Sequence, residues 1–225
     1  MTSFTPRLQL ETLFVLDDAG RIVSTREANP TPGPAFSLIR DASTCAWSTH
    51  VDVPDRIADE LDAFARSEPP ADQLSDPPTR ADAYVALLGG RIEHGPVFTF
   101  PDGLSASSDI VAITDLSLLE RHFRGWKENE LPECSPILGV VEDGYAVSVC
   151  FCARRTSLAA EAGLETAVGF RGRGLGSRVT SAWARAIQDS GRLPLYSTSW
   201  DSHASLAVAR RLALTACGSD WNLYR

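Results

Sequence analysis

The chain has a single lysine, Lys127, no long apolar run and no concentrated block of positive charge, and each absence closes off a class of function. Lysine and arginine total 21 against 29 aspartates and glutamates, a formal net charge of -8. Phosphate backbones are bound by concentrated positive charge, so no nucleic-acid partner is expected. The acidic balance suits a cationic amine, although many soluble proteins share it, and the dominance of arginine over lysine reads as coding bias. No stretch of about 18 apolar residues occurs, so no membrane-spanning helix and no membrane partner are expected. The first residues, Met1 to Arg7, lack a basic segment followed by an apolar stretch, which argues against a secretory signal and for a cytoplasmic protein. The 5 cysteines are an odd number without metal-ligand spacing. Cys150 and Cys152 alternate on one face of an apparent strand, where small buried thiols are common, and all are expected to be reduced.

With 44% hydrophobic and 22% charged residues, the chain of 225 can bury a sizeable core. The expected class is α/β, with an N-terminal α/β region over 1–105 and a second domain over 106–225. Leu13 to Leu16 and Arg21 to Val23 read as a hairpin around Asp17-Asp18-Ala19-Gly20. Asp55 to Arg66 has one apolar face, and Arg80 to Leu88 reads as a helix stopped by Gly89-Gly90. Strands are expected at Val97 to Phe100 and Asp109 to Thr114, and a helix at Leu116 to Trp126. From Pro136 the pattern is cleaner: strands to Glu142 and from Tyr145 to Ala153 around a Glu142-Asp143-Gly144 turn, then Ala160 to Val168, despite the weakening Gly163. Gly174 to Ser190 places Leu175, Val179, Ala182, Trp183, Ala186 and Ile187 on one helical face. A strand at Leu195 to Trp200, a helix at Ser202 to Leu214 and a short strand at Trp221 to Tyr224 complete the chain. A strand–helix–strand unit with a right-handed crossover places its strands parallel, and ligands gather at their carboxyl ends.

One such end carries Arg171-Gly172-Arg173-Gly174-Leu175-Gly176-Ser177. Glycines remove Cβ atoms that would obstruct a ligand and open conformations closed to other residues. The free N–H groups and dipole of the following helix favour an anion, and Arg171, Arg173 and Arg178 add charge. The group that fits is a phosphate or pyrophosphate. A Walker loop would need Lys before Ser or Thr, and a dinucleotide fingerprint would need glycine where Ser177 stands. A glycine-rich helix start without a ligand is the plain alternative, and the interleaved arginines weigh against it.

The stretch Glu165 to Gly176 resembles motif A of the GNAT superfamily of N-acetyltransferases, whose loop runs Q/R-x-x-G-x-G/A. Arg171, Gly174 and Gly176 fill that pattern. Ser199 to Ser205 and Arg210 to Leu214 resemble the strand and helix that follow, and the likeness covers about 136–225. The resemblance implies a GNAT-type mixed twisted sheet flanked by helices, with acetyl-CoA as co-substrate in a V-shaped gap between two parallel strands. It also implies that main-chain groups at Thr166, Ala167 and Val168 hold the pantetheine arm. Those from Gly172 through Arg173, Gly174, Leu175 and Gly176 to Ser177 would cradle the pyrophosphate, helped by Arg171 and by Ser202 at the start of the next helix. Donors of this kind can stabilise an oxyanion by about 3 kcal/mol each. The implied activity is acetyl transfer to a primary amine of a small molecule or peptide, by direct attack, and the protein is compatible with a homodimer. A non-catalytic acyl-CoA-binding module is the alternative.

An amine must lose a proton to attack a thioester. Glu161 and Glu165 lie four apart on the candidate strand, hence on one face, and the family often carries its base here. Glu165 lies nearer the expected acetyl group, and a solvent-facing or ion-paired role is the alternative for both. Three positions depart from the family: Ser202 where Asn is common, Ala209 where a Tyr serves as general acid, and Ala213 where a glycine precedes the last strand. Arg210 and Arg211 are candidates for the 3′-phosphate of CoA, and Tyr196, Tyr224 or water for the missing acid.

Overall fold

A computed structural model describes residues 2–104 and 107–225. In chain order the elements are α1 (Pro6–Leu13), β1 (Phe14–Leu16), β2 (Ile22–Thr25), β3 (Phe36–Arg40), β4 (Cys45–Thr49), α2 (Asp55–Ala65), α3 (Ala81–Leu88), β5 (Arg91–Thr99), β6 (Val111–Ala112), α4 (Glu130–Glu133), β7 (Leu138–Glu142), β8 (Tyr145–Arg155), β9 (Ala159–Thr166), α5 (Leu175–Asp189), β10 (Leu193–Ser197), α6 (His203–Arg211) and β11 (Thr215–Tyr224). The chain divides into two compact units. One holds Ser3–Phe98, Ser197–His203 and Ala216–Arg225, and the other Thr99–Tyr196 and Ala204–Thr215. A division at 105/106 assigns the stretches at 197–203 and 216–225 to the second domain, whereas the structure groups them with the N-terminal residues.

In the N-terminal unit four strands lie in the order β4-β3-β11-β5. Phe36 and Leu38 of β3 and Trp221 and Leu223 of β11 pack with Leu61, Ala65, Tyr84 and Leu88 of α2 and α3. Ile39, one residue out of phase, packs instead with Leu10 and Leu13 of α1. The period-two alternation of a strand thus feeds one core on each sheet face. Helix α1 has no counterpart in the sequence reading, yet its start is marked: Thr5 Oγ1 accepts from the Leu8 N–H at 3.1 Å and Pro6 takes the first helical position. The first hairpin is present, with β1 antiparallel to β2. The last strand is ten residues long rather than the four expected at Trp221 to Tyr224. Its first half, Thr215-Ala216-Cys217-Gly218, is small and without alternation, so it carries no strand pattern.

The C-terminal unit holds the strands in the order β10-β9-β8-β7-β6. β6 to β9 are antiparallel neighbours, and β10 joins β9 in parallel, which makes the sheet mixed. The β7–β8 hairpin turns on Asp143 and Gly144, both at positive φ (51° and 80°), the two-residue geometry that matches strand twist. Helix α5 packs across β7, β8 and β9. Its Leu175, Val179, Trp183 and Ile187 are all buried, and the ring of Trp183 meets Phe100 at 6.2 Å. The expected helix at Leu116 to Trp126 is reduced to a single 3₁₀ turn over Leu116–Leu118 followed by turns. Leu119 and Phe123, one helical turn apart and both buried, produce the helical spacing without the helix.

Candidate active site

The site begins where two parallel strands part. β10 pairs with β9 at Leu193↔Ala159, Pro194↔Ala160 and Leu195↔Glu161, and the pairing ends there. β9 itself continues to Thr166, held on its other side by β8 as far as Ser148↔Thr166. The Ala167 N–H is given to the Val147 carbonyl at 2.9 Å, on the β8 side. Backbone groups alternate along a strand, so those of Leu164 and Thr166 turn to the side that β10 has vacated.

At the mouth of this gap stands the glycine turn. Gly172 and Gly174 take φ of 78° and 76°, the left-handed region in which L side chains are strained. Gly174 is the N-cap of α5 and no side chain caps the helix, so the amides of its first turn have no partner within it. Gly176 faces β9, where a Cβ would make ordinary contact with Leu164 at 3.4 Å and Thr166 Oγ1 at 3.6 Å. Thr166 Oγ1 is itself 2.8 Å from Ser148 Oγ. The opposite wall is α6, which contributes Ala204, Ser205, Val208 and Arg211 to a cavity of about 520 Å³. That volume lies in the range of small-molecule sites. A Cβ on Gly174 would stand 2.5 Å from the Arg211 guanidinium, so the glycine leaves room for Arg211 over the helix start. Gly172, Gly174, Leu175, Gly176, Ser177, Thr166 and Arg171 all line the cavity.

The remaining candidates fall elsewhere. Ala167 and Val168 are not among the lining residues. Ala167 has its N–H engaged by Val147 and its carbonyl by the Phe170 N–H, and Val168 sits in a 3₁₀ turn with 77% of its surface exposed. Leu164 lines the cavity. Arg173 forms a two-armed pair with Glu142 at 2.7 and 3.2 Å and lies over the Phe170 ring. Arg178 pairs with Asp109. Arg173 and Arg178 line a second cavity of about 520 Å³ together with Arg211, the one cation common to both cavities. Ser202 belongs to the N-terminal unit and does not line the cleft.

The two glutamates separate. Glu161 is 3% exposed and accepts from Arg154 at 2.7 Å, at a level where β10 still pairs. It is a structural ion-pair partner, and the paired register removes it from the open part of the gap. Glu165 is exposed beyond the point of parting. Desolvation raises its pKa, and a hydrogen bond with the Trp126 side chain lowers it in part. Ala209 is 2% exposed and supplies no proton donor. Tyr196 is buried in the C-terminal unit's core, edge-on to Phe100 at 6.5 Å, with its hydroxyl on the Ser205 carbonyl at 3.5 Å. Tyr224 lies in the other unit beneath Arg91. All five cysteines are free thiols, and burial pushes Cys134 up to about 11 and raises Cys150 further.

The C-terminal unit thus combines a mixed sheet flanked by helices, two parallel strands that part, and a glycine turn at the start of the helix between them. No family model and no curated protein matches the sequence. Solved structures similar to the chain include a GNAT-family protein from Novosphingobium aromaticivorans (18% identity, TM-score 0.49, 59% of this chain and 64% of that one). Others are a GNAT-family acetyltransferase from Colwellia psychrerythraea (14%, 0.47, 65% and 63%) and a GCN5-related N-acetyltransferase-like protein from Streptococcus suis (15%, 0.49, 93% and 87%). The chain covers less than two thirds of the first two. Among the described residues, no helix is long and apolar enough to cross a membrane.

Proposed function

We propose that the protein is an N-acetyltransferase that moves an acetyl group from acetyl-CoA to a primary amine of a small molecule or peptide. The observation that carries this reading is the cleft itself: a gap between parting parallel strands, continuous with an uncapped helix start under Arg211. The amides of the first turn of α5 and the Arg211 guanidinium would bind the pyrophosphate. Main-chain groups of Leu164 and Thr166 would hold the pantetheine arm, and the thioester would lie where β9 and β10 separate. Glu165 would take the proton of the acceptor ammonium, directly or through water. The freed amine attacks the thioester carbonyl, the tetrahedral adduct breaks its C–S bond and expels CoA as a thiolate, the surplus proton on the nitrogen passes to that thiolate or to water, and the amide product leaves. The thiolate, with a pKa near that of an ordinary thiol (about 8.5), departs without an obligatory acid, which suits the Ala209 position. A cysteine acyl-enzyme is disfavoured because burial keeps Cys150 and Cys134 protonated.

Thermal shift with acetyl-CoA, CoA, ATP and NAD tests the ligand, and stabilisation by ATP but not acetyl-CoA would sink the reading. Thiol release from acetyl-CoA over an amine panel tests the reaction. A second reading, a non-catalytic acyl-CoA-binding module, is favoured by the buried Ala209 where the family places its acid. It predicts CoA binding without amine-dependent thiol release.

A further inference from the structure

Gly163 lies in the middle of β9, where a glycine weakens a strand and needs a reason. The reason is Phe151, its partner across the β8–β9 ladder. A Cβ on Gly163 would stand 2.5 Å from two ring atoms of Phe151, so the ring occupies the space that any other residue would fill. Trp126 meets that ring edge to face, with centroids 4.7 Å apart. Two residues along the strand from Gly163, and therefore on the same face, stands Glu165. The stack brings the Trp126 side chain beside the Glu165 carboxyl, where it acts on that group, and the indole N–H is the only donor that side chain has. Glycine, phenylalanine and tryptophan thus form a stack that ends on the candidate base.

Resting on the reading of Glu165 as the base, we infer that Trp126 is its positioning residue, held by Phe151 over Gly163, and that its indole N–H fixes the carboxylate for proton transfer. A hydrogen bond to an ionised carboxylate favours the ionised form, so the indole keeps a partly desolvated base available at lower pH than burial alone would allow. The two causes acting on Glu165 are burial and this hydrogen bond, and no charged side chain of a neighbouring element is among them.

The test needs no known acceptor. The chain has 5 tryptophans, hence that many indole N–H signals in a ¹⁵N-correlated spectrum, and Trp126→Phe identifies the one in question. That signal should titrate with a midpoint above the ordinary carboxylate value and become flat in Glu165→Gln. A signal that is flat in the wild type, or that titrates unchanged in Glu165→Gln, overturns the contact. With any amine that the panel shows to be acetylated, Trp126→Phe should move the acid limb of kcat/KM upward by about one pH unit, the size of a hydrogen bond to a charged group. CoA affinity should stay unchanged. An unmoved limb overturns the positioning role, and Phe151→Leu, which frees the indole without deleting it, should shift the limb in the same direction. Full turnover in Glu165→Gln with a titrating indole would overturn the base assignment, and the positioning role with it, while leaving the contact itself in place.

Discussion

Replacing Gly174 with alanine separates what the backbone needs from what the cleft needs. The residue holds φ at 76°, and its added methyl would stand 2.5 Å from the Arg211 guanidinium. The backbone cost of an L residue in the left-handed region is about 1–2 kcal/mol. For a chain of this size, about 2–4 °C per kcal/mol converts that into a fall in Tm of about 2–8 °C. Gly191 provides the control, because it has φ of 80° just past the end of the same helix and nothing within 4 Å of an added Cβ. Gly191→Ala should therefore cost similar stability. Only Gly174→Ala also moves Arg211 away from the helix start. Losing one charge-assisted hydrogen bond to a phosphate, about 1.5–3 kcal/mol, would weaken CoA about ten- to hundredfold. Titration calorimetry with CoA, run beside thermal melts of both variants, reads the two effects separately. Equal CoA affinity in Gly174→Ala and Gly191→Ala would refute the placement of the pyrophosphate at this turn.

Three further outcomes follow from single residues. Ala213 holds φ at 51°, in the left-handed region that favours glycine. Ala213→Gly relieves about 1–2 kcal/mol of backbone strain and gives back about 0.4–1 kcal/mol to unfolded-chain entropy, so melting should not fall and should rise by up to about 6 °C. Glu161→Gln removes the carboxylate charge that meets the partly buried Arg154, and should cost about 1–3 kcal/mol in denaturant melts while kcat/KM of the folded protein stays near wild type. Glu165→Gln should lower kcat about a hundredfold or more, the usual share of a general base. Its raised pKa also places the acid limb of the wild-type kcat/KM profile above 4.5, because the carboxyl must be ionised to work.

The legible part of this chain is the part whose pattern is local. The α5 amphipathic face, the Asp143-Gly144 turn and the glycine loop are each read from neighbours in sequence, and each stands where its pattern placed it. What escaped depends on partners far along the chain. The extent of β11 is set by its pairing with β3, not by any alternation in its small-residue first half. The grouping of Ser197–His203 and Ala216–Arg225 with the N-terminal residues is likewise a matter of packing, which no composition shift records. In the cleft, the α6 wall shows a faint signal: Ala204, Val208 and Arg211 recur at helical spacing, with the small residue nearest the strand end and the cation farthest along. That spacing marks Arg211 rather than Arg210 as the residue that turns inward.

The glutamates show how one strand face can carry two different fates. Spacing places Glu161 and Glu165 on one face, but spacing says nothing about where the neighbouring strand stops. β10 accompanies β9 as far as Glu161 and no farther. Below that level the carboxylate is enclosed and holds Arg154; above it the carboxylate is exposed, partly desolvated and raised in pKa. Folding and catalysis then make opposite demands on Glu165. A folded-state pKa above the unfolded one favours folding while the group is protonated, below its ordinary pKa, and that contribution is lost as pH rises through the raised value. Proton abstraction begins in that same interval. At neutral pH the ionised Glu165 is thus a cost to the fold that the proposed chemistry requires, and the isosteric Glu165→Gln should melt no lower than wild type at pH 7 while losing turnover. A melt that falls at neutral pH as steeply as that of Glu161→Gln would instead make Glu165 a second structural carboxylate and take the base out of the mechanism.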